Sequence, residues 1–93
     1  MLLLPESLTL REARDAMRLL KTTLESESDT LLTIDGSQLQ RFDSSALAVL
    51  LECRRLAQAW GKRFELRALP PKLTELAQLY GIDELLTPEP QPG

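Results

Sequence analysis

No histidine occurs among these 93 residues, and there is a single cysteine, Cys53. The first absence removes Ser–His and Cys–His nucleophilic pairs; the two together remove the Cys/His clusters that bind zinc. One cysteine closes no disulfide within the chain, in keeping with a reducing compartment. Basic residues are outnumbered, 11 against 14 acidic, for a net charge of -3. A surface for a phosphate backbone is not expected, so nucleic acid is set aside as a partner. The apolar start Met1-Leu2-Leu3-Leu4 is cut by Pro5 and Glu6 and carries no basic flank. It reads as neither a signal peptide nor a membrane span, and cytoplasmic residence is the expectation. The chain has no glycine-rich phosphate loop, internal repeat or heptad run. With no triad and no metal-ligand cluster in view, no catalytic residue, metal or cofactor is expected, and the chain reads as a non-enzyme.

What is present is a sequence 43% hydrophobic and 27% charged, ordinary for one small globular domain. Residues 1–86 are assigned to that domain and 87–93, rich in proline, to a flexible tail. Leu2-Leu3-Leu4 is a stub of edge strand. Thr9 and Glu12 stand at capping-box spacing before Leu10, Ala13, Met17, Leu20 and Leu24 at helical period, predicting a helix over 10–25. Arg11, Arg14, Asp15, Arg18 and Lys21 fill its other face, and 26–29 reads as a solvated loop. Thr30–Asp35 predicts a central strand stopped by Gly36-Ser37, with Leu39 and Phe42 as core anchors beyond it. A helix over 45–60 follows, with Leu47, Leu50, Leu51 and Ala57 inward and Gly61 as its stop. Arg63–Ala68 alternates as a half-buried strand does. Pro70-Pro71 then opens a third helix on Leu73, Leu76, Ala77 and Tyr80, stopped by Gly81, and Ile82, Leu85 and Leu86 form a short closing turn. The alternation predicts an α/β fold, a small sheet with right-handed crossovers and helices packed against it.

Function is expected at Phe42-Asp43-Ser44-Ser45-Ala46-Leu47, where a strand-like segment runs through a polar tripeptide into a helix. Asp and Ser cap helix N-termini, and the bland reading of Ser44 and Ser45 is that they cap this one. Asp43 has no acid–base or metal partner nearby in sequence, so a capping or turn role is expected of it rather than catalysis. Cys53 sits in an apolar helical pattern without a second cysteine, as a packed thiol would. Trp60 and Tyr80 are each read two ways, as rings closing the core or as contacts for a partner. Arg54, Arg55, Lys62, Arg63 and Arg67 form a basic run that is either a solvated face or a surface steering an acidic partner.

The Asp43-Ser44-Ser45 segment resembles the signature of the STAS domain family, the anti-sigma-factor-antagonist-like domains, with Ala46 where the family usually has Gly. The resemblance extends over roughly 9–86, through Gly61-Lys62-Arg63-Phe64-Glu65-Leu66 and Leu79-Tyr80-Gly81-Ile82-Asp83-Glu84-Leu85-Leu86. It implies a STAS-like fold with an abbreviated N-terminal strand region, since the family usually begins with a β-hairpin. Two branches imply different roles. In anti-sigma-factor antagonists the residue matching Ser45 is the phosphoacceptor of a partner kinase, which would make this chain a switch. In the small STAS subunit of Mla-type phospholipid-transport ABC complexes, a hydroxyl residue matching Ser44 follows the Asp. That subunit sits on the cytoplasmic ATPase and supports transport in outer-membrane lipid asymmetry. Leu76-Ala77-Gln78-Leu79-Tyr80, the compact length and the short N-terminus favour the second branch. The implied partner is then an ABC ATPase, with the membrane reached only indirectly at the inner-membrane periphery; the alternative is an anti-sigma factor kinase. The partner-contact residues expected are Asp43, Ser44, Ser45, Leu47, Trp60 and Tyr80, with Ser45 the possible phosphoacceptor.

Overall fold

The computed structural model describes residues 2–26 and 30–86; of the loop expected at 26–29 only Ser26 is described, as the last residue of a helix, and the tail expected at 87–93 falls outside. The described residues form strands β1 (Leu2–Leu3), β2 (Ser7–Leu8), β3 (Leu31–Asp35), β4 (Arg41–Phe42) and β5 (Arg63–Arg67), and helices α1 (Leu10–Ser26), α2 (Ser44–Ala59), α3 (Pro71–Leu79) and α4 (Asp83–Leu86). Three strands make a parallel sheet in the order β1-β3-β5, with Leu2 opposite Ile34 and Ile34 opposite Leu66. The fold is thus α/β with a small parallel sheet, as the alternation predicted. β3 is the central strand and β1 an edge stub.

Because side chains alternate along a strand, one face of this sheet carries Leu2, Leu32 and Ile34, all buried. The opposite face carries Leu3 and Leu31, which are 52% and 40% exposed. A sheet whose parallel strands run in chain order and whose crossovers share one hand puts the crossing helices on one side. The burial matches that arrangement. The helical layer adds Leu47, Leu50, Cys53, Leu56 and Ala57 from α2, Leu20 and Leu24 from α1, and Leu73 and Ala77 from α3. Leu39 is buried at 4% exposure and Phe42 packs against the same core, so both expected anchors are in place.

Both long-helix stops follow from glycine. Gly61 has φ +69° and Gly81 φ +71°, in the left-handed region that side chains with a Cβ avoid. At the end of α2, Gly61 N–H donates to the Gln58 carbonyl (3.1 Å) and Lys62 N–H to that of Ala57 (2.7 Å). α3 repeats the pattern, with Gly81 N–H to the Gln78 carbonyl and Ile82 N–H to that of Ala77, both at 3.0 Å. These paired bonds satisfy carbonyls that a helix end otherwise leaves without partners.

The sequence reading did not contain β2 or β4. They pair in parallel, Ser7 opposite Arg41 and Leu8 opposite Phe42, and the Glu6 carbonyl accepts from Gln40 N–H (2.8 Å) and Arg41 N–H (2.9 Å). Each two-residue strand ends one residue before the N-cap of a long helix. The short ladder therefore sets the starts of α1 and α2 side by side, and the two helices pack against each other from there.

Candidate functional site

The helix starts meet at one carboxylate. Register places Leu8 beside Phe42, so the next residues along each strand, Thr9 and Asp43, are neighbours. Asp43 is extended, with φ -133°, and is the N-cap of α2. Its Oδ1 accepts from Ser45 N–H at 2.8 Å, and its Oδ2 accepts from Leu10 N–H, the first residue of α1, at 3.1 Å. One side chain thus caps two helices. The Ser45 N–H, then the Leu10 N–H, hold the Asp43 carboxyl below its ordinary value; the Ser45 hydroxyl adds to this, while partial desolvation and Glu12 oppose it. Negative charge at paired helix N-termini is the favoured arrangement.

α1 has its own cap as well. Thr9 N–H donates to Glu12 Oε2 at 2.9 Å, the Thr9 hydroxyl bonds the same oxygen, and the Ser7 hydroxyl donates to Oε1 at 3.1 Å. The spacing read from the sequence is thereby realised, with the Thr9 hydroxyl donating to Glu12. These bonds, the Thr9 hydroxyl first, lower the Glu12 pKa.

Ser44 and Ser45 are not the caps. They occupy the first two positions inside α2, and the capping oxygen belongs to Asp43. Ser44 is exposed and Ser45 half-buried. The Ser45 hydroxyl supports the Asp43 carboxylate, and the Ser44 hydroxyl stands at the exposed surface.

From Ser45 a groove of about 560 Å³ runs between α1 and α2, floored by Leu10, Ala13, Met17, Ala48 and Val49. Leu10, expected on the core face of α1, is instead 76% exposed at the groove's end. The reason lies in the cap: Leu10 is the first helical residue, held at the surface by its N–H bond to Asp43. Arg14, Arg18 and Lys21, expected on the face opposite the apolar stripe, rim the groove. Helical period finds the apolar stripe of α1 but does not say which half of it a second helix leaves uncovered.

The other expected contact residues scatter. Leu47 is 2% exposed and packs in the core, so it is unavailable to a partner; the inward reading of this residue is the correct one. Trp60 is the C-cap of α2 and 42% exposed. The 16-residue helix sets it about 24 Å from the Ser44 turn. Tyr80 is the C-cap of α3 and 57% exposed. Only Asp43, Ser44 and Ser45 are brought together. The basic run divides too: Arg55 engages both Glu52 oxygens through Nε at 3.0 and 3.1 Å, while Arg63 and Arg67 lie on the exposed side of β5. Cys53 is 2% exposed, and burial pushes its thiol up to about 12.

Among the described residues no group of three or more metal-ligating side chains is assembled, and no helix is long and apolar enough to cross a membrane. A capped junction, two hydroxyls and an apolar groove offer a binding surface. The comparison with known families agrees: residues 1–87 match the family model described as Mlab, STAS domain, and the chain belongs to the STAS domain family. STAS domains are in general non-catalytic binding domains. No curated protein matches the chain.

Proposed function

We propose that this protein is a STAS subunit that docks on the ATPase of a phospholipid-transport ABC complex and supports the assembly and activity of that complex. Asp43, Ser44, Ser45 and the adjoining groove make the contact, and the membrane is approached only through the partner. One observation carries the reading: Asp43 does the capping, so Ser44 stands exposed at a rigid loop-to-helix junction, with Ser45 half-buried behind it and an open apolar surface beside it. The matched family's description, Mlab, supports the transporter branch over the signalling branch. Trp60 lies outside this patch.

The test is purification of the tagged protein from its native host at native expression, with mass spectrometry of what accompanies it. An ABC ATPase and permease, with Ser45 unmodified, is the expected result. A kinase-like anti-sigma factor with Ser45 partly phosphorylated replaces this reading with the switch. A Ser45→Asp protein that holds the ATPase at full strength counts against this contact surface, and one that holds an anti-sigma factor at full strength counts against the switch, since a new charge at the contact disrupts a surface fitted to a neutral hydroxyl.

A further inference from the structure

The groove between α1 and α2 has an uneven electrostatic rim. Arg14, Arg18 and Lys21 stand at i, i+4 and i+7 on the α1 side, a row along one edge. The α2 side offers Glu52, and Arg55 occupies both of its oxygens. Neither Arg14 nor Arg18 has an ion-pair partner among the described residues. In a chain of net charge -3, Arg14 and Arg18 are a local excess on one wall of an apolar groove, and Lys21 continues the row toward Glu52, whose charge it meets.

The floor is shaped for a helix. Ala13 on α1 and Ala48 on α2 both line it as small side chains that permit close approach, and Met17 adds an adaptable apolar surface. Leu10 closes one end, 76% exposed. From Leu10 to Lys21 the wall is about 16 Å long, three helical turns.

Resting on the docking reading above, we propose that this groove receives an amphipathic helix of the partner, with its apolar stripe on Ala13, Met17 and Ala48. One flank of that helix carries carboxylates at i, i+4 and i+7 against Arg14, Arg18 and Lys21. Helices recognised in grooves present their anchors at this period, and charge at the rim sets orientation and register. A basic-flanked helix of the same apolar stripe meets like charge and is rejected.

Two stapled synthetic helices test this directly: one with a Leu/Ala stripe flanked by Glu, and a copy with every Glu replaced by Lys. Fluorescence anisotropy gives affinity, and amide shifts at Ala13 and Ala48 give location. The acidic helix is expected to bind in the groove and the basic one not. In Arg14→Glu/Arg18→Glu, whose altered side chains are exposed, acidic-helix affinity falls about tenfold or more and the basic helix gains. Equal binding of both peptides, binding of neither, or shifts elsewhere on the molecule overturns the proposal. The same double variant, purified from the native host, separates the two claims. If the ATPase accompanies wild type and variant alike, the acidic-helix proposal fails and the docking reading stands. If no ATPase accompanies wild type while the peptides discriminate as stated, the docking reading fails and the groove's preference stands.

Discussion

Asp43 and Cys53 show how far single side chains are set by their neighbours. Four carboxyls, Glu12, Asp35, Asp43 and Glu52, have pKa values below their ordinary ones in the folded chain, through bonds to Thr9, Ser37, Ser45 and Arg55 respectively. Below the ordinary carboxylate range the unfolded chain binds more protons than the folded one, so the stability these groups contribute is complete above it. It is lost as pH falls through the lower folded-state values. Urea midpoints measured from pH 7 down to pH 3 are expected to fall, and Asp43→Asn to lower the midpoint at pH 7 while flattening the descent. Cys53 gives the opposite kind of prediction. Buried and pushed up to about 12, its thiol is essentially all protonated at pH 8 and does not react with a disulfide reagent in the native protein. Full reaction in denaturant and little without it is the expected pair of readings.

The helices and the central strands were legible because their signals are local. Apolar period marked α1, α2 and α3; Gly61 and Gly81 marked two ends; Thr9 and Glu12 marked a beginning. What stayed hidden depends on residues far apart in sequence. β2 and β4 are two residues each, too short to show alternation, and exist through bonds across more than thirty positions. The double cap by Asp43 rests on that pairing, so nothing near Asp43 announces Leu10 as its second partner. A capping or turn role is legible for Asp43, but the place of Ser44 and Ser45 inside the helix is not, because three capping-competent residues stand in a row and only backbone geometry selects Asp43. The glycine stops offer a clean element-level measurement. A Cβ at Gly61 meets nothing within 4 Å, so Gly61→Ala reports backbone conformation alone and is expected to cost about 1–2 kcal/mol by urea denaturation.

At the scale of the whole molecule, helices cover one side of the sheet, and among the described residues none covers the other. Leu32 at 0% exposure and its chain neighbour Leu31 at 40% stand on the two sides. Leu32→Ala is expected to cost about 2–5 kcal/mol, through lost burial and the cavity left. Leu31→Ser is expected to stay within about 0.5 kcal/mol of the wild type, as a surface change away from caps and core does. Paired urea curves of the two variants separate a one-sided domain from one whose second face is closed by self-association. Equal losses from both variants would show that the Leu31 side is covered in solution.

The shared carboxylate at Asp43 makes α1 and α2 a single mechanical body at their starting ends. A carboxylate has two oxygens; here each accepts from the first turn of a different helix, so a movement of the Asp43 side chain loosens both at once. Opening at the first turn of α1 is then felt at the first turn of α2. The amide protons of Leu10 and Ser45, thirty-five positions apart in the chain, should exchange with solvent as one event, at one rate.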